Sequence, residues 1–272
     1  MSIAVPKTAL ITGTSRAAGL GFATARLLSE QDYHVILTAR DLSRAEALAA
    51  RLPNATALRL DLADLATMTA AADYVAESFG HLDVLVNNAS DTVDFATLSA
   101  LDADLAAVQS ALDIDVLGPW QLTQLLLPLL KAAPAARIVN VSSVSALQIS
   151  TGLDLGASLR APAHSFAKHA LNTLTGVLAS ALRDTPILVN AVDPGETATP
   201  PERGDEDTAR PALDSARGVV WAATLAADGP TGGLFLDSQP LLSLLPGTKN
   251  TAGPDRNRSR PAAGKPLLHQ DQ

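Results

Sequence analysis

Thr8-Ala9-Leu10-Ile11-Thr12 is an apolar, partly β-branched run that passes directly into a turn holding Gly13, Gly19 and Gly21; Phe22, Ala25, Arg26 and Leu27 then open a helical pattern. Such a run reads as a buried strand. Glycine has no Cβ, so the chain can reverse tightly here and leave its backbone open to a close approach. A strand, a glycine turn and a helix N-terminus make a ready anion site, because unpaired N–H groups and the positive end of the helix dipole both face the turn. A glycine turn by itself also serves as an ordinary connection, so the rest of the chain has to separate the two readings.

Strand-like runs recur at Thr8–Thr12, His34–Thr38, Ala57–Leu60, Leu82–Asn87, Arg137–Val141, Ile187–Val192 and Gly233–Leu236, with helical patterns near 20–30, 42–51, 64–79, 100–131, 163–183 and 211–227. This alternation predicts an α/β fold in which helices cover both faces of a parallel sheet. With the glycine turn at the first crossover, it becomes a Rossmann-type, doubly wound sheet of seven parallel strands, with ligands outside the strands' carboxyl ends. A length of 272 residues suits one large domain, since single cores grow to roughly 250–300 residues before splitting. That domain is expected over 1–246. From 247 the chain turns polar, Gly/Pro-rich and locally basic, which reads as a flexible tail without apolar surface to order it.

The net charge of −8 has the wrong sign for nucleic acid or an anionic membrane. The chain has no cysteine, which excludes disulfides and thiolate metal sites. Its five histidines lack helical i, i+4 pairing, so no metal site is expected. No apolar run approaches the roughly 18 residues of a membrane span. The first strand also begins too close to Met1 to leave room for a leader. The expectation is a cytoplasmic protein with a small-molecule substrate and neither nucleic acid nor membrane as partner.

A dinucleotide site makes further demands. The second strand ends in Thr38-Ala39-Arg40, with a basic residue where a cofactor ribose would lie and no carboxylate for a free 2′-hydroxyl. Arg40, together with Arg16 in the glycine turn, therefore favours the 2′-phosphate of NADP over NAD. The plain alternative is two solvated surface arginines. Asp61-Leu62 follows the third strand and Asn87-Asn88-Ala89 ends the fourth. Both lie at the ligand-binding edge, although either could simply turn the chain.

Farther on stand Ile138-Val139-Asn140-Val141-Ser142-Ser143, then Lys168 within a helix, then Asn190-Ala191-Val192-Asp193-Pro194-Gly195 with Thr197 and Thr199. With these in place the chain resembles the short-chain dehydrogenase/reductase family from Thr8 to about Gln239. Its VDPGETAT and DGPTGGLF stretches are most similar to carbonyl-reductase-like members. The resemblance implies an oxidoreductase with NADP(H) lying across the sheet edge. In that likeness Gly13, Ser15, Arg16 and Leu20, on a turn completed by Gly19 and Gly21, hold phosphates and ribose, and Arg40 takes the 2′-phosphate. Asp61 and Leu62 flank the adenine, Asn88 and Ala89 the ribose, and Pro194, Gly195, Thr197 and Thr199 the nicotinamide. Ser143 hydrogen-bonds the substrate oxygen. Lys168 binds the nicotinamide ribose and lends positive charge to proton transfer.

Three departures from the family pattern bear on chemistry. The glycine turn, TGTSRAAGLG, is two residues longer than the family's TGxxxGxG, so the pyrophosphate cradle must be reshaped. Asp115, in DIDVLG, aligns with the asparagine that helps hold a proton-relay water, adding charge and removing an amide donor. Residues 164–168 read HSFAK, so His164 occupies the place of the general-acid tyrosine of Tyr-x-x-x-Lys, one helical turn from Lys168. The catalytic positions are then Ser143, His164, Lys168 and Asp115. The only tyrosines, Tyr33 and Tyr74, lie elsewhere in the chain. A phenol near pKa 10 beside a cationic lysine can give its proton and remain as phenolate, whereas imidazole is a useful acid only as its cation, near 6.5, which a like charge disfavours. Asp115 or Asp193 would offset that effect if close enough.

His164 therefore has three open readings: a substitute acid, a neutral hydrogen-bond donor in a changed reaction, or a relic in a pocket that no longer transfers hydride. The corresponding functions are a reductase of carbonyls or imines, a non-redox cyclase, isomerase or dehydratase, and a degenerate NADPH-binding protein. Ser143 and His164 are 21 positions apart, more than in compact family members. The intervening Val144–Ala163, with Asp154 and Arg160, is expected to shape the substrate pocket and to obstruct the helix pairing of tetrameric relatives, or else is an ordinary surface excursion. As a homo-oligomer, the chain is expected to favour dimer or monomer over tetramer. Pro200 to Pro211, rich in acids, occupies the usual place of a substrate lid.

Overall fold

Four strands, β1 (Thr8–Ile11), β4 (Val84–Asn87), β5 (Arg137–Val141) and β6 (Leu188–Asp193), contain no exposed or half-exposed residue. Only a sheet covered on both faces asks this of its strands. The computed structural model describes residues 6–91, 94–150, 160–198 and 209–241. β2 (His34–Ala39), β3 (Ala55–Arg59) and β7 (Leu234–Leu236) complete seven parallel strands in the order β3-β2-β1-β4-β5-β6-β7. An eighth strand, β8 (Gln239–Pro240), was not expected; it pairs antiparallel with β7 through a turn at Asp237 and Ser238.

Alternation along each strand sorts the core into two layers. Leu10, Ile36, Leu85, Ile138 and Val189 face one side, against Met68 and Val75 of α3 (Leu65–Phe79) and Leu122 and Leu126 of α5 (Gly118–Ala132). Ala9, Ile11, Val35, Leu37, Val84, Val86 and Val139 face the other, against Phe22 and Leu28 of α1 (Leu20–Ser29) and Val219 and Val220 of α8 (Ala212–Ala223). α2 (Leu42–Ala49) closes the second layer at Leu48. α7 (Pro162–Ala181) packs Ala163, Ala167, Leu171 and Leu174 against Ala111 of α4 (Leu105–Leu112) and Val116.

The helical pattern expected as one stretch over 100–131 is divided. A short 3₁₀ turn, Ala100–Asp102, precedes α4, and a π-helical turn, Asp113–Leu117, separates α4 from α5. Pro119 explains the second break: it has no N–H for the ladder, and the chain widens to an i→i+5 bond from Gly118 N–H to Asp113 O. A Cβ on Gly118 would come within 2.6 Å of Leu62 Cβ, so glycine lets this turn lie against the segment that follows β3. No helix among the described residues is long and apolar enough to cross a membrane. The tail expected from 247, Thr199, the lid residues 200–208 and Asp154 lie outside the described residues.

Gly13 and Gly80 have nearly the same backbone, φ +72° and +70°, but a Cβ would lie 2.7 Å from Ala89 Cα at Gly13 and meet nothing within 4 Å at Gly80. Urea unfolding should show Gly80→Ala costing about 1 kcal/mol for its left-handed φ. Gly13→Ala should cost at least about 1–3 kcal/mol more from overpacking. Equal losses would mean that the close approach of Ala89 carries no constraint.

Candidate active site

β1 and β4 are neighbours in the sheet though far apart in sequence, and here the strand order reverses. Asn88 fastens the split. Its side-chain amide donates to Thr12 O at 2.8 Å and Gly13 O at 3.2 Å, and the backbone amides of Asn88 and Ala89 donate to Thr12 Oγ1 at 2.9 and 3.0 Å. Gly21 packs against the same group: a Cβ there would lie 2.6 Å from Asn88 Nδ2. The two residues by which the glycine turn exceeds the family pattern are taken up in a β-turn over Arg16–Gly19, closed by Gly19 N–H to Arg16 O at 3.1 Å, with Arg16, Ala17 and Ala18 exposed.

Helices α2, α3 and α4 begin with Asp41, Asp64 and Asp104, each accepting a backbone N–H from its own first turn. α1 begins differently. Its N-cap is Gly19, no side chain caps it, and its first turn carries no acid. Its positive end therefore stays available at the carboxyl edge. Ser15 and Leu20 are half-buried at this turn, and Arg40 is exposed just past β2. Asp61 accepts the Ala63 amide at 3.1 Å, while Leu62 is buried in the first core layer.

The π turn carries Asp115 inward. Its Oδ2 accepts the Ser90 hydroxyl at 2.8 Å and lies 3.4 Å from Lys168 Nζ, and its Oδ1 accepts the Asp91 amide at 3.0 Å. Asp91 in turn accepts the hydroxyl of Ser110 on α4. Burial pushes the Asp115 carboxyl above the usual carboxylate range, against the opposing pull of Lys168, Ser90 and the Asp91 amide. Lys168 Nζ also donates to Val141 O at 2.9 Å, at the end of β5. The ion pair is almost sealed from solvent, with side-chain exposures of 4% for Lys168 and 0% for Asp115.

His164 is buried one turn before Lys168, with its ring 5.2 Å from that of Phe95. The start of α7 is unusual. Ala161 occupies the N-cap in a left-handed conformation, without a capping side chain, and Pro162 follows. The cap comes from a distant loop: Asp94 accepts the amides of Ala163 at 2.6 Å and His164 at 3.3 Å. This carboxylate satisfies two helix-end donors and complements the helix dipole. Ser143 stands at the end of β5 and caps the short turn Val144–Ala146, which leads into α6 (Leu147–Ser150). The described ends of the long excursion before α7 are drawn together by Arg160 N–H to Gln148 Oε1 at 2.9 Å.

At the end of β6, buried Asp193 accepts the Gly195 amide at 3.0 Å. Burial raises its carboxyl pKa, against the amides of Gly195 and Val144 and the charge of Arg210. Pro194 leads into Gly195, at φ +71°, and the Arg210 side chain lies against it while bonding Asp237 at 3.1 and 2.8 Å. Thr197 donates to the Ser215 hydroxyl and bridges to Arg210 through the backbone.

The carboxyl edge thus assembles the glycine turn, Asn88–Ala89, Ser143, Lys168, Asp115 and Pro194–Thr197, with His164 on the helix that carries Lys168. Tyr33, buried before β2, and Tyr74, on α3, stand apart from it. Among the described residues, no group of three or more His, Cys, Asp or Glu could hold a metal ion. Sequence reasoning missed Ser90, Asp91, Asp94 and Phe95. The signal for Asp94 was indirect: a helix opening Ala161-Pro162, with no capping residue of its own, needs one from elsewhere.

Replacing Asp94 by alanine should destabilise the fold by about 1–2 kcal/mol, the size of a lost cap and dipole partner. Asp94→Asn, which keeps an acceptor, should lose less. Chemical denaturation distinguishes these, and a neutral Asp94→Ala would show that α7 does not depend on the remote cap.

The family model for short chain dehydrogenases matches residues 7–209. Short-chain dehydrogenase anuI of Penicillium roqueforti is 32% identical over 245 residues, covering 86% of this chain and 94% of the relative. Salutaridine reductase from Papaver somniferum has a structure of TM-score 0.68 and 26% identity, covering 85% of this chain and 99% of that one. A metagenomic short-chain oxidoreductase in complex with NADP gives a TM-score of 0.67 at 28% identity, covering 85% and 95%. Because the matched span runs from β1 to beyond β6, taking in the glycine turn and both residues of the buried ion pair, the chain belongs to the short-chain dehydrogenase/reductase family.

Proposed function

We propose that the protein is an NADP(H)-dependent oxidoreductase that reduces a carbonyl or imine of a small molecule. The observation that carries this reading is the side-chain-uncapped N-terminus of α1, set in a glycine turn at the same sheet edge as Ser143 and Lys168. The residues present fit a dinucleotide. Glycine at 13 and 21 lets Ala89 and Asn88 pack directly on the turn, which shapes a cradle at the uncapped end of α1, and Arg16 and Arg40, both exposed, carry the cationic side chains suited to phosphate. The NADP complex of the metagenomic structural neighbour supports the same cofactor.

When bound, reduced nicotinamide supplies a hydride to the substrate carbon. The chain supplies the rest. On this reading Lys168, held on Val141 O, binds the ribose hydroxyls, and Ser143 donates a hydrogen bond to the substrate oxygen. His164, as imidazolium, gives that oxygen the proton that completes the alcohol and is left neutral. General acid catalysis of this kind contributes about 10²–10⁴ in rate.

Three measurements test the reading. Arg40→Ala should raise the Kd for NADPH about tenfold, roughly 1.4 kcal/mol, and leave that for NADH unchanged. His164→Gln should bind NADPH normally but lower kcat by about 10²–10⁴. Wild-type reduction should fall as pH rises, as the imidazolium that donates the proton is lost. A protein that fails to bind NADPH overturns the cofactor assignment. Product formed without loss of nicotinamide absorbance would point to a non-redox catalyst on the same scaffold.

A further inference from the structure

Lys168 of the buried ion pair and His164 stand one turn apart on α7. Lys168 and Asp115 are 3.4 Å apart and almost fully enclosed, so solvent screens them little and their charges act on neighbours at nearly full strength. His164 is likewise buried and lies four residues from Lys168 on the same helix, hence on the same face. An unpaired ammonium at that distance would oppose protonation of the imidazole. A lysine already matched by a carboxylate presents a dipole instead.

Among the described residues, the other charged groups around this half of α7 have partners of their own. Asp94 is held on the amides of Ala163 and His164, where it faces the positive end of the helix. Asp91 is held by Ser110, and Asp193 by the Gly195 amide. Arg160 Nε donates to Phe95 O at 3.3 Å. In the π turn Asp113 accepts the Gln109 amide. His169 is the other titratable group beside Lys168 on α7 itself, while α4, α6 and the turn before α6 carry none.

We propose that Asp115 and His164 are a matched pair coupled through Lys168: the carboxylate cancels the lysine's charge, and so allows the buried imidazole to hold the proton it must donate. Asp115 is on this account a positioning residue for charge, acting through Lys168. The inference rests on the reading of His164 as the acid. Its converse is equally specific. A tyrosine at 164 would need the lysine's charge uncancelled, because that charge stabilises the phenolate left after proton donation. A phenol at 164 and a carboxylate at 115 therefore work against each other.

The test combines Asp115→Asn and His164→Tyr, singly and together, with two independent readouts. The first is NMR titration of the His164 ring in cofactor-free protein, assigned with His164→Gln. Asp115→Asn should move that titration to lower pH by about one unit. Adding Lys168→Met to Asp115→Asn should return it towards the wild-type position, because both charges are then gone. If Asp115→Asn does not fold, Lys168→Met alone carries the test, by shifting the titration to higher pH. A titration unmoved by these changes overturns the proposal. The second readout is kcat/KM with NADPH and a panel of carbonyl substrates. His164→Tyr should gain at least about tenfold more in the Asp115→Asn background than in the wild-type one. Equal effects in the two backgrounds overturn the coupling. Absence of turnover in every variant refutes the reductase reading, while the titration still decides the pair.

Discussion

The tie between Asn88 and the end of β1 is the constraint on which the cofactor edge rests. At the reversal of strand order, β1 and β4 send their chains to opposite sides, and the resulting crevice exposes backbone groups that no strand pairs. Asn88 and Ala89 engage Thr12 Oγ1, Thr12 O and Gly13 O. This occupies the acceptors of the turn and leaves the donors of α1 as the polar groups facing outward. The side chain that a ribose-contact role would claim is thus already engaged in holding the cradle. Contact between Ala89 and Gly13, too close for any Cβ, makes the same point from packing.

A second set of buried polar groups positions α7. Asn87 Nδ2 donates to Asn140 Oδ1, Asn140 Nδ2 to Thr175 Oγ1, and Thr175 Oγ1 to Leu171 O, at 2.8, 2.8 and 2.9 Å. This chain crosses from β4 through β5 to the helix. Ser142 to Asn172, at 2.6 Å, runs beside it. Apolar packing of Ala167 and Leu171 would tolerate sliding of the helix, whereas a buried amide displaced from its partner loses a hydrogen bond it cannot replace. The ladder therefore sets the height at which Lys168 meets Val141 O. Asp94, from the opposite end, sets where α7 begins.

Much of this was legible in the sequence, and the reasons differ by element. The four central strands declared themselves because a strand buried on both faces must be apolar throughout, and Gly13 and Gly21 because a Cβ there would strike Ala89 or Asn88. Asp115, His164 and Lys168 were visible as departures and matches within a motif. The division of the 100–131 helix was less visible: an apolar periodicity passes through the π turn almost undisturbed, and only Gly118-Pro119 marks it. β8 has two residues and no pattern to read. Asp94 stayed hidden because its partners are 69 and 70 positions away, and a capping residue carries a local signature only when it caps its own helix.

Stability does not explain the Lys168–Asp115 pair. Removing two charges from water costs several kcal/mol per ion, and buried pairs elsewhere can be replaced by well-packed apolar residues at no loss, or with a gain of about 1–4 kcal/mol. The rise of the Asp115 pKa on burial has the same sign: the folded state holds the carboxylate against a desolvation penalty that Lys168, Ser90 and Asp91 only partly offset. A raised carboxyl pKa favours folding most at low pH and works against it as pH rises through the folded value, so near neutrality this group opposes folding relative to its unfolded state. The local structure nonetheless directs a hydroxyl, an amide and an ammonium at one carboxylate, on a π turn that a proline and a glycine make possible. So many partners gathered on one buried carboxylate are intelligible when its charge has a chemical task, and His164 stands one turn from Lys168 at the head of α7.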